Sequence, residues 1–299
     1  MTRDLERARA LLQGLSESAA ASWDNPAALA QVLYTRWYHA ISEGVRICPD
    51  LSVYRVAHAF GAGFQPGWRV AALQPDAGPG AIVAERQGEQ RPVSATQYVP
   101  ADASRLRVVP GDAILVNVRI DELNGGFWHL WSPEWRNAAP THLVRVYFQV
   151  AVGNEAAFVT RLGGLAPFTA KWNMKILAGA HQPGRVDAAV VYVDRDEGIR
   201  TPWLGPLIDA VTPLLNDGAP AFTSRLAPGV AWAEDPGGGV SFGEHRCRIL
   251  ANAAVERPDA LRTARVWRQA AALAFAREGL DLSKPHLQGR RHARGRDAA

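Results

Sequence analysis

This chain has thirty arginines and only three lysines, and two of the lysines stand four residues apart in one alternating segment. In the stretch from Phe168 to Ile176, Phe168, Ala170, Trp172, Met174 and Ile176 alternate with Thr169, Lys171, Asn173 and Lys175. A second stretch puts Val144, Val146, Phe148, Val150 and Val152 on one parity and Arg145, Tyr147 and Gln149 on the other. Successive side chains of a strand point to opposite faces, so each stretch predicts a strand with an apolar face and a face of long polar groups. Two such faces side by side make a cationic wall, whose natural occupant is an anion. A desolvated or crowded ammonium can lose its proton where a guanidinium cannot, which makes Lys171 and Lys175 candidates for a base. The competing reading is an exposed sheet face with solvated charges.

Three other places carry chemistry. Arg185-Val-Asp187 reads either as a pair bracing a loop or as an arginine held by Asp187 while it forks onto a phosphate. Ser241-Phe-Gly-Glu244 has capping-box spacing and predicts a helix start, with His245 and Arg246 in its first turns. Cations there oppose the macrodipole unless an anion sits at the helix start; otherwise they reach for solvent or Glu234. His129, within Phe127-Trp-His-Leu-Trp131, faces away from Trp128 and is either a half-buried histidine or a general acid. Gly239-Val-Ser-Phe-Gly243 matches the nucleophile-elbow spelling. It follows a glycine-rich loop instead of a buried strand, so the capping box explains Ser241 better.

The composition bounds the rest. The chain has 299 residues, 47% hydrophobic and 21% charged, with ten tryptophans, enough for a substantial core. No apolar run reaches the roughly 18 residues of a membrane span, and the charged start lacks the apolar centre of a signal peptide. Cys48 and Cys247, far apart, suggest reduced thiols and a cytoplasmic protein. Neither a phosphate-binding glycine loop nor a dinucleotide fingerprint nor zinc spacing is present, so no metal or cofactor is expected. The net charge of +4 permits acidic partners. The arginine-rich end, residues 286–299, reads as a disordered solvated tail, a reading preferred to nucleic-acid binding.

These groups must be positioned by an α+β fold, mainly antiparallel sheet with N-terminal and C-terminal helices around it. Residues 3–15 show helical spacing, and Asn25-Pro26 opens a second helix in which Tyr34, Trp37 and Tyr38 read as core. Residues 1–60 form a helical part. From Gly67 to Trp131 short strands and turns predict one antiparallel meander. A short helix follows at 153–162, then strands at 168–177 and 188–194, a helix at about 204–216, a strand at 229–234, and helices from Ser241 and from Asp259 to Glu278. Without a repeat or long linker, residues 1–299 read as one domain.

The order of Pro167-Phe-Thr-Ala-Lys171, Arg185-Val-Asp-Ala-Ala-Val-Val-Tyr-Val193, Pro220-Ala-Phe-Thr223, Leu226-Ala-Pro-Gly-Val230, Ala233-Glu-Asp-Pro236 and Ser241-Phe-Gly-Glu-His-Arg246 resembles the HopPsyA-like, type III effector HopA-like family, over roughly residues 28–280. Members encoded beside ribosomal-peptide genes act as lyases in class V lanthipeptide and thioamitide pathways. A separate kinase-like protein phosphorylates Ser or Thr of a precursor peptide, leader and core, and the lyase eliminates phosphate to give dehydroalanine or dehydrobutyrine. The resemblance thus implies a metal-free phosphothreonine or phosphoserine lyase. Lys171 or Lys175 would be the base, and Arg145, Arg185 and Arg246, with Ser241 at the helix start, would hold phosphate. His245 or His129 would be the acid, Tyr147 would orient or stabilise, and Asp187 would support Arg185. Other members are plant-pathogen effectors, so the alternative is a non-catalytic module that binds a phosphopeptide or recruits a kinase or host protein.

Overall fold

The computed structural model describes residues 2–17, 25–39, 64–117 apart from 94, 96, 103 and 106, then 120–124, 127–132, 135, 142–167, 170–177 and 185–289. Ala40, Cys48, Phe168, Thr169 and the arginine-rich residues 290–296 lie outside them.

Twelve described strands form two antiparallel sheets, so the fold is α+β. The smaller has the order β3 (Glu89–Val93), β2 (Ile82–Arg86), β1 (Phe64–Leu73), β5 (Ala113–Asn117), β4 (Tyr98–Pro100). Its own core contains Trp68, Val70, Ile82, Val93, Ile114 and Val116. The larger runs β11 (Ser224–Ala227), β12 (Val230–Glu234), β8 (Leu143–Phe148), β10 (Ala189–Asp194), β9 (Trp172–Leu177), β7 (Phe127–Trp131), β6 (Ile120–Asn124). The single meander expected from 67 to 131 is therefore two structures. β6 and β7 form a hairpin, and β7 pairs with β9 far along the chain instead of joining β5. Local alternation marks a strand but not its distant partner, which is why the break was invisible in the sequence.

The period of two in the larger sheet has the consequence expected of it. Val144, Val146, Phe148, Trp172, Met174, Ile176, Val191 and Leu130 fall on one face. They share a core with Phe158 and Leu162 of α3 (Glu155–Leu165) and Leu204, Leu207 and Val211 of α4 (Leu204–Val211). The other face carries His129, Lys175, Val190 and Tyr147 in one row across four strands, with Asn173, Tyr192 and Arg145 in the next. That face is not open to water: a second helical layer covers it, and Arg145 and Tyr147 are 8% and 3% exposed. The solvated-face reading is thereby overturned for these two residues.

The covering layer is built from four helices, α1 (Thr2–Glu17), α2 (Pro26–Val32), α5 (Phe242–Glu256) and α6 (Ala264–Arg277). Leu5, Ala8 and Leu12 of α1 pack with Trp267 and Phe275 of α6, and the Trp267 indole donates to the Leu5 carbonyl at 3.1 Å. The Asn25 side chain accepts from Ala27 and Ala28 amides at 3.0 and 3.1 Å, with Pro26 first in the helix. Beyond Val32, α2 widens into a π-helical turn, Leu33–Tyr38, whose His39 amide donates five residues back to Tyr34 at 3.0 Å. Gly243 of α5 lies under the Tyr38 ring, where an added Cβ would stand 2.4 Å from a ring carbon. Only glycine permits that approach.

The expected helix 259–278 starts instead at Ala264, after a 3-10 turn Pro258–Arg262 and a Thr263 cap. Residues 286–289, expected to open the tail, are held: the Glu234 amide donates to the His286 carbonyl at 2.8 Å, and the Gln288 amide donates to the Glu234 carboxylate at 2.6 Å.

Candidate functional site

The layer between the polar sheet face and α2 and α5 gathers most of the sequence-predicted residues, in two neighbouring groups. The first begins with Lys175 on β9. In register it stands opposite His129 on β7 and Val190 on β10, and its Nζ lies 4.7 Å from the Phe127 ring centre. The Arg185 guanidinium lies 5.4 Å from the same ring centre, a cation–π arrangement, so two basic side chains meet over one aromatic ring. Arg185 also donates through Nε and Nη2 to Asp187 at 2.8 and 3.3 Å, both residues being buried. The Arg185–Asp187 pair common to both readings of Arg185-Val-Asp187 is therefore made, through Nε and Nη2.

Asp187 has a second neighbour that the sequence did not disclose. His39 Nε2, at the end of the π-helical turn, stands 3.0 Å from Asp187 Oδ2 without the alignment of a hydrogen bond. Burial alone would raise the Asp187 carboxyl; the His39 contact and Arg185 outweigh it and hold the group well below the usual carboxylate range. Around this carboxylate stand three phenols. The Tyr34 ring packs against His39 at 4.1 Å, and its hydroxyl accepts from Ser241 Oγ at 3.2 Å. Burial pushes the Tyr34 phenol up to about 12. Tyr38 and Tyr147 are raised further by burial, so both remain neutral donors. Their hydroxyls are buried and neither makes a hydrogen bond of acceptable geometry. A buried donor left unsatisfied costs about 1–3 kcal/mol, which favours any acceptor able to reach it.

The second group is structural. Arg145 pairs through Nε with Asp235 and donates from Nη2 to the Val240 carbonyl at 3.1 Å. It thereby pins the loop that delivers Ser241. Ser241 caps α5: its Oγ accepts from the Glu244 amide at 3.1 Å, and Glu244 accepts from the Ser241 amide at 3.0 Å. Arg246 is 0% exposed and donates to the carbonyls of Pro285 and Leu287, each at 3.0 Å. Burial pulls its guanidinium down to about 10, still charged at neutral pH. His245 Nδ1 lies 2.6 Å from Arg246 Nη1; a guanidinium only donates, so this nitrogen carries the lone pair. Glu234 is taken by Arg195 at 2.8 Å. Arg145 and Arg246, expected to hold phosphate, are thus directed to protein acceptors, because buried carbonyls and a buried carboxylate compete for them. Replacing Arg246 with methionine is expected to destabilise the fold by about 2 kcal/mol through the orphaned carbonyls, read as a lower urea midpoint.

Lys171 precedes β9 and is half-buried, so it does not share the row of Lys175, His129 and Tyr147. His129 stacks on Trp131 with ring centres 5.6 Å apart. Cys247 is free and buried. A cavity of about 520 Å³ lies in the smaller sheet, between Leu73, Ile82, Tyr98 and Val108, and includes none of these residues. No group of His, Cys, Asp and Glu among the described residues could hold a metal, and no described helix is long and apolar enough to cross a membrane.

Residues 121–287, which include β7 to β12 and both groups just described apart from Tyr34, Tyr38 and His39, match the HopA1 effector protein family. The chain belongs to that family. Two solved structures share the fold of this HopA1-family chain. One is the effector protein from Pseudomonas syringae pv. tomato strain DC3000, 12% identical, covering 96% of this chain and 99% of its own, with a TM-score of 0.51. The other is the effector protein from Pseudomonas syringae pv. syringae strain 61, 15% identical, covering 96% and 97%, also with a TM-score of 0.51. At these identities the likeness is one of fold. Among curated proteins no match is found.

Proposed function

We propose that this HopA1-family chain is a metal-free phosphothreonine or phosphoserine lyase. It would act on a phosphorylated precursor peptide supplied by a separate kinase-like protein in ribosomal-peptide biosynthesis, in the cytoplasm. The observation that carries the reading is the pairing of Lys175 and Arg185 over one Phe127 ring beside the buried Asp187. Elimination needs a base at the Cα hydrogen, donors for the charge that develops on the adjoining carbonyl, and a cation for the departing phosphate. Arg185, held by Asp187 through two nitrogens, keeps Nη1 for a phosphate oxygen. Tyr38 and Tyr147 supply neutral hydroxyl donors. Lys175 is preferred to Lys171 as the base because it lies in the row with His129 and Tyr147.

In the reaction the Cα–H electrons form the Cα=Cβ bond as the Cβ–O bond breaks. The proton goes to the Lys175 amine, which enters the step neutral and leaves it as the ammonium, and the electron pair of the broken bond leaves with phosphate. The test is to incubate the full chain with the phosphothreonine precursor, leader attached, and its partner kinase. The expected result is loss of the mass of phosphoric acid with dehydrobutyrine in its place. An unchanged mass with binding retained would make the chain a phosphopeptide-recruiting module instead.

A further inference from the structure

Elimination of phosphate also needs a proton donor for the leaving group, and this inference rests on the elimination reading above. We propose that His39 is that donor, with Asp187 as its orienting partner. His245 is poorly suited, since its Nδ1 is occupied as an acceptor from Arg246 and the ring belongs to the clamp on residues 285–287. His129 stands directly opposite Lys175, on the side of the base. His39 sits where the phosphate would be: its Nε2 is 3.0 Å from the carboxylate whose other contacts hold Arg185. One carboxylate therefore ties the phosphate-binding cation to a histidine.

The surroundings suit an acid. His39 is 7% exposed, and the charged groups facing it are Asp187 and Arg185, of opposite sign. Tyr34 and Tyr38 pack against it at 4.1 and 5.4 Å between ring centres, and Tyr38 in turn interacts with Tyr147. The Nε2–H is not aligned on Asp187, so a small ring rotation can direct it to an incoming oxygen. As the Cβ–O bond breaks, the proton passes from His39 to a phosphate oxygen. His39 becomes neutral, hydrogen phosphate departs, and the ring is reprotonated from water.

The experiment compares wild type and His39→Asn on a phosphothreonine peptide and on the same peptide carrying O-thiophosphothreonine, whose more acidic leaving group depends less on a donor. His39→Asn is expected to lose about 10²-fold in kcat on the phosphate substrate. The loss on thiophosphate should be clearly smaller, and the alkaline limb of the wild-type kcat profile should vanish. Equal losses on both substrates with an unchanged pH profile would reduce His39 to packing and overturn the proposal, as would a wild-type kcat in the variant. His39→Gln serves the same comparison if the asparagine variant melts early. A wild type inert on both peptides would defeat the elimination reading itself, and this inference with it, an outcome distinct from either failure above.

Discussion

Lys175→Ala is expected to lower kcat for elimination by about 10³-fold, within the range for removing a positioned general base, while phosphopeptide affinity stays within about twofold. The separation follows from geometry. Arg185 reaches phosphate through its own bonds to Asp187, and none of those passes through Lys175. The lysine Nζ lies over Phe127, from a half-buried position of a strand paired on both sides. Truncation therefore disturbs the fold little, by about 1 kcal/mol. Removing an interaction used only in the transition state lowers kcat and kcat/KM together and leaves binding alone. Quenched-flow elimination with a parallel anisotropy titration reads both. If Lys175→Ala keeps its kcat while Lys171→Ala loses it, the base is Lys171. If neither variant is impaired, no lysine is the base.

What the sequence disclosed follows the range of each signal. Alternation from Val144 to Phe148 is local, and it gave a strand with one apolar and one polar face. Asn25-Pro26 and Ser241-Phe-Gly-Glu244 are caps that act within one turn, and both stand where expected. The Arg185–Asp187 pair spans two residues and is equally legible, while both uses the sequence allows it, bracing a loop or holding a phosphate, contain the same contact. His39 was not, because nothing near it is unusual: its meaning comes from Asp187 on a distant strand and from a π-helical turn that no residue type announces. Arg246 shows the same limit from the other side. Its partners are backbone carbonyls of Pro285 and Leu287, which have no sequence signature, so a clamp resembled a phosphate ligand. Tyr34 and Tyr38 were read as core, and Tyr38 is buried as that reading requires. The Tyr34 hydroxyl nevertheless accepts from Ser241 Oγ, since an aromatic ring can pack while its polar tip makes a hydrogen bond.

Asp187→Asn is expected to cost both stability and turnover, and its pH dependence identifies the cause. The carboxylate is 4% exposed, neutralises the buried Arg185 and touches His39. Without its charge, the Arg185 guanidinium remains buried and uncompensated, a loss of about 3 kcal/mol near neutral pH. The sign of the linkage is fixed by the direction of the shift. In the unfolded chain an aspartate titrates near about 3.9, and in the fold Asp187 lies well below that. Its contribution is complete above the unfolded value and is lost as pH falls toward the folded one. Urea midpoints should therefore differ most between wild type and Asp187→Asn from about pH 5 upward, and the gap should close progressively below about pH 4. Lys175→Ala, which leaves the Asp187 contacts in place, should track wild type through the same acid range. Parallel curves for wild type and Asp187→Asn would mean that the carboxylate is not charged in the fold. The fork on Arg185 would then have to be neutral, and Arg185 would lose the support that directs it to phosphate.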